Sequence, residues 1–115
     1  MPAYFLFDNV AVTDPAGLAR YAEAVGPMVA AYGGRYLAVA ADPEVVEGDP
    51  ALTSPVLIEF PDVAAARAWY GSAEYEPLRA LRHQSVRNTA VLFNGVDAAV
   101  TSAHSGSGST LETSP

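Results

Sequence analysis

Apolar and polar positions alternate, then recur at helical spacing, in an order that repeats once along the chain. Tyr4 to Val12 is rich in aromatic and β-branched residues on both alternation phases, the pattern of a central strand covered on both sides. Thr13-Asp14-Pro15 then supplies a capping side chain and a proline at the first helical position. Leu18, Tyr21, Ala22, Val25, Met28, Val29 and Tyr32 follow at i, i+3, i+4 and i+7, which predicts a helix with one buried face. Pro27 lies inside that pattern, so a kink or a break into two pieces is expected near Gly26.

Gly33-Gly34 is a helix stop, and Arg35 to Ala40 reads as a second strand. Ala41 to Pro55, punctuated by prolines and Gly48 among acids, is expected to be a long excursion. Val56 to Phe60 is a third strand. Asp62 caps a helix carrying Val63, Ala66, Trp69 and Tyr70, which Gly71 ends; Ser72 caps a further helix with Glu74 and Glu76 in its first turn. Asn88 to Phe93 is the fourth strand, closed by Asn94-Gly95.

The order β-α-β-β-α-β predicts an α+β, ferredoxin-like sandwich: a four-stranded antiparallel sheet with helices on one face. The other face is then too apolar to stay wet, which predicts a homodimer formed through the sheet face, its two sheets pairing into a dimeric α/β barrel. Residues 1–97 form the domain, while the Ser/Gly/Thr-rich stretch over residues 98–115 has the composition of a flexible tail.

Composition narrows the chemistry. The chain of 115 residues is half apolar, with 17% charged residues and no apolar run of membrane-spanning length, as expected of a soluble globular protein. Its first residues lack the basic region of a signal peptide. The absence of cysteine excludes disulfides and thiolate chemistry and fits a cytoplasmic location. A net charge of -7, with every one of the six basic residues an arginine, argues against a nucleic-acid partner. Without lysine, Schiff-base chemistry is unavailable. His83 and His104 are isolated and lack ligand spacing, so no metal and no cofactor are expected.

Val12-Thr-Asp-Pro15, Tyr32-Gly-Gly-Arg-Tyr-Leu37, Glu47-Gly48, Glu59-Phe-Pro61 and Ala66-Arg-Ala-Trp-Tyr-Gly-Ser-Ala-Glu-Tyr-Glu-Pro-Leu-Arg79 resemble the pattern of domain-of-unknown-function family 1330 over residues 3–96. That resemblance implies the dimeric α/β-barrel architecture. The wider superfamily implies a range of roles, from cofactor-free monooxygenases, isomerases and cyclases to haem-dependent peroxidases and ligand-binding regulators, and fold kinship of this breadth does not choose among them.

A pocket is expected between helices and sheet, near the helix break at Gly71-Ser72. In the last helix Tyr75, Arg79, Arg82 and Val86 share a stripe, so Arg79 and Tyr75 could hold a developing oxyanion. The plainer assignment pairs Arg79 with Glu76 or a strand carboxylate and leaves Arg82 on a solvated face. Tyr21, Tyr36 and Trp69 are candidate substrate contacts, against ordinary core packing. Glu47 is a candidate general base, against a carboxylate that bonds loop amides or Arg35. Together these residues predict a small cofactor-independent enzyme that cyclises, isomerises or oxygenates an aromatic or polyketide-like molecule by proton transfer. The alternative is a non-catalytic dimeric module that binds a small acid.

Overall fold

The computed structural model describes residues 1–49 and 52–96, so the predicted tail over residues 98–115 lies outside the described residues. The elements are β1 (Ala3–Val12), α1 (Pro15–Ala31), β2 (Arg35–Ala38), β3 (Pro55–Phe60), α2 (Val63–Tyr70), α3 (Glu76–Ser85) and β4 (Val86–Asn94). The sheet is antiparallel in the order β2-β3-β1-β4, which is the ferredoxin-like arrangement expected from the element order.

Phe5, Phe7, Ile58 and Phe60 point from the two central strands into one core with Val25 and Val29 of α1, Ala66 and Trp69 of α2, and Tyr75. Trp69 is fully buried at its centre, packed on the rings of Phe5, Phe60 and Tyr75. The opposite alternation phase faces away from the helices. It pairs Tyr4 with Glu59 and Phe93, and Leu6 with Leu57 and Val91. Val91 and Phe93 remain about half exposed there.

The helix caps follow the sequence. Asp14 accepts a hydrogen bond from Gly17 N at 3.1 Å and Asp62 accepts one from Ala65 N at 2.8 Å. Ser72 Oγ accepts from Tyr75 N at 3.2 Å, although helical geometry begins only at Glu76, so Glu74 falls in the preceding turn. The expected break at Pro27 does not occur: α1 runs unbroken over 17 residues. Both Pro27 and Glu23, whose carbonyl the ring opposes, are exposed, so water can take up the carbonyl that loses its amide partner. Gly34 lets two elements approach, since a Cβ there would lie 2.6 Å from Val29 Cγ1 and 2.7 Å from Phe60 Cε1.

Two irregularities shape the end of the sheet beyond β2. The β2–β3 register shifts between Tyr36 and Ala38, and β2 ends at Ala38, earlier than expected. Ala40 then adopts a left-handed φ of 48°. The excursion that follows is tied back by Asp8, a nearly buried carboxylate in β1 that accepts from Thr53 N and Ser54 N, each at 2.8 Å. Among the described residues, no helix is long and apolar enough to cross a membrane.

Candidate functional site

These irregularities leave a cavity of about 370 Å³ between α1 and the β2–β3–β1 part of the sheet. Val39 and Ala40, just past the end of β2, contribute to its lining. Leu18, Tyr21 and Val25 of α1, Tyr36 of β2, Val56 and Ile58 of β3, and Phe7 and Asn9 of β1 make the walls. Arg82 reaches in from α3. Most of this surface is hydrocarbon or aromatic, with a few polar groups converging on it, the usual composition of a small-molecule site.

The Tyr21 hydroxyl lies 2.8 Å from the hydroxyl of Tyr75, a fully buried side chain behind the cavity wall. Burial first, and then the neighbouring Tyr75, push the Tyr21 phenol far above its ordinary range. Burial also raises Tyr75, against the opposing influence of its bond to Tyr21 and of the Arg82 charge. Tyr36 is pushed up to about 12, again by burial first and then by Tyr75. The tyrosines on the cavity wall therefore stay protonated at neutral pH and serve as hydrogen-bond donors, not as bases.

Arg82 is only 3% exposed. Its Nη2 donates to Tyr70 Oη at 3.4 Å and to His83 Nε2 at 3.3 Å, both long contacts. The His83 ring can accept because desolvation first, then the charges of Arg82 and Arg79, hold its pKa below the ordinary imidazole value. Arg82 Nε and Nη1 have no hydrogen-bond partner, and no carboxylate pairs with Arg82 among the described residues. Its guanidinium lies over the Phe7 ring, 4.8 Å from the centroid. A desolvated cation–π contact returns about 2 kcal/mol, whereas burying an ion costs several kcal/mol. The site therefore carries an uncompensated positive charge.

A family model described as domain of unknown function (DUF1330) matches residues 2–96. The chain belongs to that family. No functionally curated protein matches this DUF1330 member in sequence. Among solved structures it is similar to a protein of unknown function from Rhodopseudomonas palustris, RPA0582, at 18% identity and a TM-score of 0.65, covering 84% of this chain and 83% of that one. A substituted form of SnoaB, a cofactor-independent oxygenase from Streptomyces nogalater, aligns at 14% identity and a TM-score of 0.60, covering 84% of this chain and 95% of that one. A dimeric ferredoxin-like protein of unknown function from Thermobifida fusca aligns at 12% identity and a TM-score of 0.56, covering 83% and 92%. At these identities the likeness concerns the fold.

The DUF1330 structure brings together some of the residues singled out from sequence and separates others. Tyr21 and Tyr36 line the cavity, and Tyr75 touches it through Tyr21. Trp69 is a core residue whose Nε1 finds no partner. Arg79 donates from Nη1 to the Tyr70 carbonyl at 2.6 Å and lies over the Tyr70 and Tyr75 rings, bracing the α2–α3 corner without lining the cavity and without pairing with Glu76. Glu47 is exposed in the excursion and is not among the lining residues. The cavity opens beside α1 and not at Gly71-Ser72, because Trp69 and Tyr75, with ring centroids 4.4 Å apart, fill the space behind the helix break.

The expectation of a solvated Arg82 is overturned by its burial. The usable signal was its stripe: Arg82 lies one turn before Val86 and two turns after Tyr75, and both of those neighbours are buried.

Proposed function

We propose that this protein is a small cofactor-independent enzyme that acts on an aromatic or polyketide-like molecule through proton transfer, in a cyclisation, isomerisation or oxygenation. The observation that carries this reading is that Tyr21, whose hydroxyl is anchored at 2.8 Å by a fully buried Tyr75, lines an apolar cavity of about 370 Å³. When Tyr75 donates to Tyr21, the Tyr21 proton is left for a substrate oxygen on which charge develops, and the proton that the substrate gives up passes to water in the cavity, since no described lining residue serves as base. Tyr36 offers a second such donor. Tyr21 and Tyr36 are then the substrate contacts, and Tyr75 is a positioning residue. Trp69 and Arg79 support the wall from behind, and Glu47, away from the cavity, has no part in the step. The fold shared with a cofactor-independent oxygenase is compatible with this assignment.

A second reading, a non-catalytic module that binds a small acid, is favoured by one specific fact: no carboxylate or imidazole lines the cavity among the described residues. Turnover separates the two. Hydroxynaphthalenes and cyclic 1,3-diketones are incubated with the protein in air and without oxygen, and products are followed by mass spectrometry. The enzyme reading expects more than one product molecule per chain, with Tyr21→Phe lowering kcat by roughly a hundredfold, as removal of an oxyanion donor does. Tight binding with no product establishes the module instead.

We also propose that two copies pair through the open sheet face. Val91 and Phe93 are each more than two-fifths exposed there, and structures of similar fold are described as dimeric. Sedimentation at micromolar concentration that gives the monomer mass contradicts this.

A further inference from the structure

We propose that Arg82 makes the cavity a site for a monoanion carried on an apolar body, its charge balanced by the guanidinium that forms part of the cavity wall. This inference rests on the reading of the cavity as a ligand site and adds the charge of the ligand to it. Arginine presents five N–H donors, and those on Nε and Nη1 are without partners in a side chain that is 97% shielded from solvent. Buried donors of a native protein are satisfied as a rule, and the exceptions point to a missing partner. Tyr70 and His83 take up only Nη2 and bring no charge, so they orient the guanidinium without neutralising it.

The class of ligand follows from what surrounds this charge. Arg82 is the single formally charged side chain among the described lining residues, so one negative charge on the ligand balances it and the second charge of a phosphate monoester would remain buried and unpaired. Tyr21 and Tyr36, protonated at neutral pH, can donate to the same oxygen or to another polar atom of the ligand. Leu18, Val25, Val56 and Ile58 offer only hydrocarbon to the remainder. The net charge of -7 gives the protein no general attraction for anions, so selection of one must be made locally. A carboxylate and an ionised aromatic hydroxyl or enol share this chemistry.

Calorimetry of the full chain with 1-naphthoate and with its neutral isostere 1-naphthamide at neutral pH tests the proposal. The carboxylate is expected to bind about tenfold more tightly or better, the scale of a charge-assisted hydrogen bond. In Arg82→Gln the preference is expected to fall to within about twofold while naphthamide affinity is kept, and in the absence of ligand the variant should melt no lower than the wild type because it no longer buries an unpaired ion. Absorbance of 4-nitrophenol below its free pKa distinguishes the two sources. Appearance of the bound phenolate band in wild type but not in Arg82→Gln assigns the ionised hydroxyl, and a naphthoate preference without that band assigns the carboxylate. Equal affinity for acid and amide in the wild type overturns the anion assignment while leaving the cavity a ligand site. Binding of none of the three probes overturns the ligand site itself and the anion assignment with it. The wild-type comparison decides the question even where Arg82→Gln does not fold.

Discussion

Replacing Tyr21 or Tyr75 with phenylalanine deletes the same hydrogen bond from opposite ends, yet the two ends are not equivalent. Tyr75 is fully buried, whereas Tyr21 is half-buried and lines the cavity. In Tyr21→Phe the Tyr75 hydroxyl loses its 2.8 Å partner inside the core, where only the nearby Arg82 guanidinium remains to it, and bears a desolvation penalty of about 1–3 kcal/mol. In Tyr75→Phe the Tyr21 hydroxyl can be rehydrated, and the cost is only the net value of a hydrogen bond, about 1 kcal/mol. In the double variant both polar ends are gone and two apolar edges meet, so its cost falls below the sum of the single changes by about 1–2 kcal/mol. Urea unfolding of the wild type and the three variants, compared as a double-mutant cycle, measures each quantity. For a domain of this size a change of 1 kcal/mol shifts Tm by roughly 4–8 °C, so the order is visible in thermal melts as well. A Tyr75→Phe variant at least as destabilised as Tyr21→Phe, or a cycle additive within about 0.5 kcal/mol, would refute the argument that burial of the two hydroxyls sets the cost.

Asp8→Ala removes the carboxylate that accepts from Thr53 N and Ser54 N, and should cost about 2–3 kcal/mol and accelerate amide exchange at both residues; unchanged exchange there shows that the excursion is held by other means. For the proposed pairing of two copies, Phe93→Glu on the open sheet face should lower the sedimenting mass to that of a monomer with the fold retained by circular dichroism, and an unaltered mass moves the interface elsewhere.

The strands, the caps and the family were legible because they depend on near neighbours in sequence. Asp14 and Asp62 bond amides three residues ahead, and the apolar content of both phases of Tyr4 to Val12 marks a central strand. Tyr21 and Tyr36 were legible as candidates, since an aromatic ring with a polar tip needs a partner wherever it is buried. Their relation to Tyr75 was not, because a hydroxyl pair 54 residues apart in sequence is made only when α1 and α3 pack together.

Arg82 marks the boundary most sharply. Its residue type and helical phase are written in the sequence, and they are shared by Arg79, which ends in a hydrogen bond to a backbone carbonyl at the α2–α3 corner. Sequence alone determined that two arginines lie on one stripe of α3, because helical periodicity is a local property. Only the tertiary structure decided that one of them is buried without a counterion at the wall of a cavity. That outcome depends on how Tyr70 and Phe7 crowd the guanidinium, and on the absence of any carboxylate from the described lining of the cavity, since those on the same elements point elsewhere. Burial and charge compensation are properties of the assembled elements together, and no window of the sequence contains them.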